Sequence, residues 1–124
     1  MRARILAEPV VNGDSGPATV ETPFGTVRCR VERAPDTGDW GSAEWTVDAA
    51  VQPQPGEGAP AVWEAENQVG FRGIVGDVFD DGVFALRLGT GATVMVECSD
   101  PVEPRSTVSF VVPREAVSLT FFTT

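Results

Sequence analysis

The chain has 124 residues and a net charge of −9, with 42% hydrophobic and 22% charged residues, which is typical of one globular domain with a single core. It contains no His, Tyr or Lys, so all nine basic residues are Arg. Without His the chain cannot build a Ser-His-Asp or Cys-His relay, and without Lys it cannot form a Schiff base or the usual phosphate-binding loop. Composition therefore excludes most of the common catalytic machineries.

The acidic residues are concentrated after residue 33. Residues 1–33 carry five Arg and four acidic residues, whereas residues 34–124 carry four Arg and fourteen acidic residues. Nucleic-acid-binding proteins normally present a basic surface to the phosphates, so this balance argues against direct binding of DNA or RNA. An acidic surface favours a basic protein partner or a cationic ligand.

The sequence also predicts a location. No apolar run approaches the ~20 residues of a membrane helix, and the first residues lack the apolar stretch of a signal peptide. We therefore expect no membrane association and a cytoplasmic protein. The bias toward Ala, Gly, Val, Asp and Arg is typical of a bacterial genome of high GC content.

In the first half of the chain, polar and apolar residues alternate between turns. Val27, Cys29 and Val31 alternate with polar residues over 26–32, which predicts a half-buried strand with Arg28 and Arg30 on its other face. Alternation also begins at 2–6, and turn residues at 12–17 and 23–25 favour a strand at 18–22. Residues 43–51 fit a further strand.

Residues 52–60 contain three Pro and two Gly and cannot continue that strand. They predict a Pro/Gly-rich loop within the single domain 1–124, and this loop is either mobile or a lid over a site. Order resumes at 61–66 as a short strand or one helical turn.

The clearest pattern covers 71–122, where period-two alternation predicts strands at 71–79, 83–88, 93–98, 107–112 and 117–122. The first three form a meander, and the last two close the sheet. Asp80, Asp81 and Gly82 supply a hairpin turn, and with Asp77 they lack the spacing of a calcium loop. Cys29 and Cys98 lie on separate strands and are expected to be small buried residues rather than a redox pair. We expect no metal and no cofactor.

Residues 72–89, RGIVGDVFDDGVFALRLG, resemble the first hairpin of the transport-associated (TOBE) and molybdate-binding small barrels, and residues 106–119 resemble their closing segment. This resemblance implies an all-β fold, a small antiparallel OB-like β-barrel or a compact sandwich. Such modules follow an ATPase domain, whereas this sequence has no Gly-rich phosphate loop. The resemblance therefore transfers no ligand residue.

The three Trp residues lie within 24 residues of one another, in an acidic region around the Pro/Gly-rich loop. Trp45 is predicted to belong to the core, since it lies on an alternating strand. One interpretation is that Trp45 and Trp63 cap one end of the barrel. The other is an aromatic and acidic surface for Arg or Lys side chains of a partner, through ion pairs and cation–π contacts. Its candidate binding residues are Trp40, Trp63, Asp36, Asp39, Glu44 and Glu64.

Two functions stay open from the sequence. The first is a non-catalytic binding protein, such as an acidic inhibitor or immunity-type module that covers a basic site on its partner. The second is a small ligand-enclosing β-barrel catalyst, cyclase-like, of bacterial secondary metabolism, which acts by proximity without acid/base relays. A cavity lined by Trp and Phe would favour the catalyst, and a filled barrel with an exposed acidic face would favour the binder. A homo-oligomer formed through the C-terminal strand is a further expectation.

Overall fold

A computed structural model describes residues 1–7 and 15–122 of the chain, and within them the fold is all-β, as predicted. A 3₁₀ turn at Arg114–Ala116 separates the last two strands. The strands are β1 (Arg2–Ala7), β2 (Gly16–Thr22), β3 (Gly25–Glu32), β4 (Gly41–Val47), β5 (Ala50–Val51), β6 (Gln54–Pro55), β7 (Ala61–Ala65), β8 (Gln68–Val78), β9 (Val83–Gly89), β10 (Ala92–Cys98), β11 (Thr107–Pro113) and β12 (Val117–Phe122).

Five of these strands close a barrel, in the order β1, β2, β3, β12 and β4. Neighbours are antiparallel except for β3 and β12, which are parallel. Val27, Cys29 and Val31 are buried on the inner side of β3, so the predicted half-buried strand is confirmed. Leu119 on β12 lies opposite Val31 on one side and Trp45 on the other, and it fills the centre of the barrel.

The second sheet contains β5, β10, β9, β8, β11 and β6 in that order, with β7 paired to the first half of β8. The meander predicted from the sequence is β8, β9 and β10 and is confirmed. The segment 71–122 that resembles an OB-like barrel therefore lies mainly in this second sheet. Its last strand, β12, belongs to the closed barrel instead. At the level of the fold, the closed five-stranded barrel is consistent with a small OB-like barrel.

The sequence predicted that the last two strands close one sheet together, and this is wrong. β11 pairs with β8 and β6, whereas β12 pairs with β3 and β4. The 3₁₀ turn carries the chain from the second sheet into the barrel, and alternation alone does not specify a strand's neighbour. Because β12 is hydrogen-bonded on both edges, a homo-oligomer through this strand would have to use its outer face.

The connection around residue 60 is more ordered than its composition indicates. Residues 61–65 form a strand, so the alternative of a helical turn is wrong. Within the predicted loop 52–60, Gln54 and Pro55 pair with Ser109 and Val108 at the edge of the second sheet. An edge strand tolerates Pro, since its missing N–H faces away from the ladder. The turn predicted at 12–17 lies partly outside the described residues, which omit 8–14.

One continuous core joins the barrel to the second sheet. Trp45 is only 6% exposed, as predicted, and its ring meets that of Phe71 edge to face at a centroid distance of 5.5 Å. Phe71 in turn stacks on Phe110 at 5.5 Å. This row of aromatic rings fixes how the two sheets pack together. The part of the chain that the structure describes has no helix long and apolar enough to cross a membrane.

Candidate functional site

Trp40, Asp36 and Asp39 come together in the connection that leads into β4. The Asp39 amide donates to the Asp36 carbonyl at 3.0 Å, which shapes a turn, and Trp40 follows with 42% of its surface exposed. The guanidinium of Arg4 lies 4.9 Å from the centroid of the Trp40 ring. Glu44 is exposed further along the same strand. This part of the predicted surface is accessible, but a cation of the chain itself already contacts the ring.

Trp63 and Glu64 lie on β7 in the second sheet, apart from the Trp40 group on the barrel. The Trp63 ring lies across Gly70 on β8, and the Arg72 guanidinium is 5.8 Å from the ring centroid. Glu64 accepts a hydrogen bond from the Arg28 amide at 2.6 Å and is 3.8 Å from the Arg114 guanidinium. The sequence-predicted residues thus form two groups, and Trp63 and Glu64 are engaged by internal partners.

A second acidic surface lies at the end of the second sheet, where the β8–β9 turn meets the segment after β10. The Phe79 amide donates to the Val83 carbonyl at 2.8 Å, and the Val83 amide donates to the Asp81 carboxylate at 3.2 Å. Gly82, at a φ of +84°, completes the turn, and its carbonyl accepts from the Cys98 amide at 2.9 Å. These bonds hold the turn against the end of β10.

Between the two segments runs a depression of about 280 Å³, with Val78, Phe79, Phe84, Pro101 and Val102 among its lining residues. Val78 and Phe79 are 45% and 46% exposed. We call this depression, together with the chain segments 77–83 and 97–103 that border it, the acidic groove. Asp80 and Asp100 line it, and the same segments also carry Asp77, Asp81, Glu97 and Glu103.

No Arg of the described residues forms an ion pair with any of these six carboxylates. The ion pairs of the described residues join Arg to three other acids, Glu21, Glu32 and Glu64. Among the described residues, the carboxylates of the acidic groove therefore have no ion-pair partner, and they lie beside an apolar surface. Such a surface attracts a cation and offers it an apolar contact.

Cys98 at the floor of the acidic groove is a thiol rather than a thiolate. Partial burial and the nearby Asp100 carboxylate raise its pKa, and its Sγ–H donates to the Asp100 carbonyl at 3.0 Å. A protonated thiol is a poor nucleophile and a poor metal ligand. Among the described residues, no three His, Cys, Asp or Glu side chains form a cluster that could hold a metal ion.

The sequence predicts a hairpin turn in the region from Asp77 to Gly82, which is correct, but it did not predict the acidic groove beside this turn. A bulge in β8 shifts the register between Val75 and Val78, so strict alternation fails there and Phe79 turns toward solvent. The available signal was Gly76, because an isolated Gly inside a strand often marks a bulge. The segment 99–103, which forms the other wall, is distant in sequence.

No family model, curated protein or solved structure matches the chain.

Proposed function

We propose that this is a non-catalytic binding protein for a basic protein partner, in the manner of an acidic inhibitor or immunity-type module. The acidic groove receives a partner segment that presents Arg or Lys together with an apolar side chain. The single observation that carries the proposal is the exposure of Val78 and Phe79 at a depression that Asp80 and Asp100 also line, where neither carboxylate has an Arg ion pair among the described residues.

The energetics of the groove fit such a partner. Full burial of a Phe side chain contributes roughly 1.5–3 kcal/mol, so the exposed half of Phe79 offers a partner roughly 1 kcal/mol. Aromatic side chains at the centre of an interface, surrounded by polar residues that exclude water, carry much of the binding energy. The carboxylates add long-range attraction, which accelerates association with a basic protein at low salt.

The surface predicted from the sequence supports the proposal less strongly. Trp63 and Glu64 already hold Arg72 and Arg114, so a partner would have to displace contacts within the chain. Trp40, together with Asp36, Asp39 and Glu44, keeps an exposed ring and is the second location for the same function. An experiment on variants separates the two locations.

The interior of the barrel favours surface recognition over an enclosed catalyst. Fully buried apolar side chains from four of its strands fill it. These are Ile5, Val20, Val27, Val31 and Leu119.

The test measures affinity for a synthetic twelve-residue peptide that alternates Arg and Leu, labelled for fluorescence anisotropy. Phe79→Ser should weaken binding about fivefold, because roughly 1 kcal/mol corresponds to that ratio. Phe122→Ser is the matched control, since Phe122 is equally exposed, at 41%, but lies on the barrel. Trp40→Ala should have no effect if the acidic groove is the site.

Two further peptides test the chemistry of the partner. A peptide that alternates Arg and Ser should bind more weakly than the Arg–Leu peptide, and one that alternates Glu and Leu should not bind. Loss of affinity with Trp40→Ala instead of Phe79→Ser would move the site to the barrel. Equal affinity for the Arg–Leu and Glu–Leu peptides would refute the proposed function.

A further inference from the structure

A cavity lies away from the acidic groove, where the outer side of β3 meets the 3₁₀ turn and the β7–β8 connection. Its volume is about 660 Å³, within the range of small-molecule sites. Three of the nine Arg residues line it, namely Arg28, Arg30 and Arg114. Asn67 and Glu115 also contribute. In a chain of net charge −9, this cavity thus brings together a third of the Arg residues.

The sequence and the fold together place these Arg side chains. Period-two alternation on β3 puts Arg28 and Arg30 on its outer face, while Cys29 between them is buried. The Arg114 amide donates to the Asn67 carbonyl at 2.9 Å, and the Arg114 guanidinium donates to the Glu66 carbonyl. The Arg residues therefore come from two elements far apart in sequence and are held in place before any ligand arrives.

Some guanidinium N–H groups of Arg30 and Arg114 have no hydrogen-bond partner among the described residues. Arg30 donates its Nε–H to Glu32 at 2.7 Å, which leaves the other four N–H groups of its guanidinium for further partners. Arg114 contacts Glu64 at 3.8 Å, and its Nε is buried with no hydrogen-bond partner among the described residues. Buried donors of this kind are normally satisfied. Glu32, Glu64 and Glu115 equal the three Arg residues in number, so the cavity suits one anionic group that is held by these donors rather than by a net positive charge.

We propose that this cavity binds a small molecule through one oxyanion group, a carboxylate or a phosphate. The guanidinium groups of Arg30 and Arg114 hold the oxygens, since the planar fork of Arg matches such groups. The side-chain amide of Asn67 supplies a further donor. This inference uses none of the residues of the acidic groove and stands independently of the proposed partner.

The test follows the side-chain N–H signals of Arg and Asn by NMR in the full chain. Sodium phosphate and sodium succinate are titrated separately, each against sodium chloride at equal ionic strength. The signals of Arg30 Nε, Arg114 Nε and the Asn67 amide should shift in a saturable manner with at least one of the two anions. A response to phosphate alone or to succinate alone supports the proposal and identifies the oxyanion.

Variants distinguish a site from general charge attraction. Arg30→Gln should weaken anion binding about tenfold, and it should leave the fold intact because the Arg30 side chain is largely exposed. Arg114→Gln should weaken binding at least as much. Arg105→Gln, an exposed Arg outside the cavity, is the matched control and should leave binding unchanged. Shifts that sodium chloride reproduces, or equal weakening by Arg105→Gln, would overturn the proposal.

Discussion

Gly25 is the residue whose replacement by Ala should be most damaging to the joint between barrel and second sheet. It begins β3 with a φ of +151°, a conformation that L side chains rarely adopt. An added Cβ would lie far inside van der Waals contact with the Val62 carbonyl oxygen and 3.0 Å from the carbonyl carbon. That carbonyl belongs to backbone that cannot move freely, since the Val62 amide donates to the Phe24 carbonyl at 2.9 Å.

The expected cost of Gly25→Ala follows from these two effects. A strained backbone conformation costs of order 1–3 kcal/mol. Separation of β7 from the β2–β3 hairpin weakens the hydrogen bond between Val62 and Phe24, which contributes about 0.5–1.5 kcal/mol. The sum is about 1.5–4.5 kcal/mol, and at about 2.1 cal/mol/K of unfolding entropy per residue this lowers the Tm by roughly 6–17 °C.

Gly38→Ala is the matched control, because Gly38 has a φ of +91° but no heavy atom within 4 Å of the added Cβ. This variant should lose only the conformational part, of order 1–3 kcal/mol, which lowers the Tm by roughly 4–12 °C. Both variants are compared by thermal unfolding followed by circular dichroism and by urea unfolding. Equal losses in the two variants would refute the steric argument at the Gly25 and Val62 contact.

Two further predictions concern a buried thiol and a packed ring. Burial raises the pKa of Cys29 to about 12; the charge of Glu64 adds to the rise and that of Arg114 opposes it. The Cys29 thiol therefore stays protonated in the folded state, whereas in the unfolded chain it ionises near pH 9. The free energy of unfolding should therefore fall as pH rises above 9, by of order 1 kcal/mol at pH 10. Cys29→Ala should remove this part of the pH dependence. The same pH dependence in the variant and the unmodified protein, measured by urea unfolding, would contradict the argument. Gly70→Ala should force the Trp63 ring off β8, because its Cβ would occupy the position of the indole. Trp fluorescence of this variant should become easier to quench with acrylamide, and an unchanged quenching constant would show that the ring does not lie on Gly70.

The sequence predicts the strands of this protein well because its alternation is regular. In β3, β10, β11 and β12 the buried residues are those that period two assigns to one face, and in β9 Ala85 is buried in addition to that face. Alternation states which side of a strand is buried and not which strand lies beside it. β12 lies between β3 and β4, and its partner residues on both strands are 70 or more positions earlier in the chain. The local pattern therefore could not predict this placement.

The candidate site was harder to predict for a related reason. Whether Trp63 and Glu64 are available to a partner depends on Arg28, Arg72 and Arg114, which reach them from three other places in the chain. The acidic groove likewise depends on two segments that the meander brings side by side. Composition shows that the chain is acidic but not where an acidic surface lies. The exposed position of Phe79 follows from the bulge in β8, which interrupts the period-two alternation.

The most direct test of the account is an NMR map of where the Arg–Leu peptide binds on the unmodified protein. The account predicts saturable changes of the backbone amide signals at 77–83 and 97–103, which weaken as salt rises because screening shortens the reach of the carboxylates. Signals at 36–44 should stay in place. Changes confined to 36–44, or spread over all acidic segments without saturation, would contradict recognition in the acidic groove.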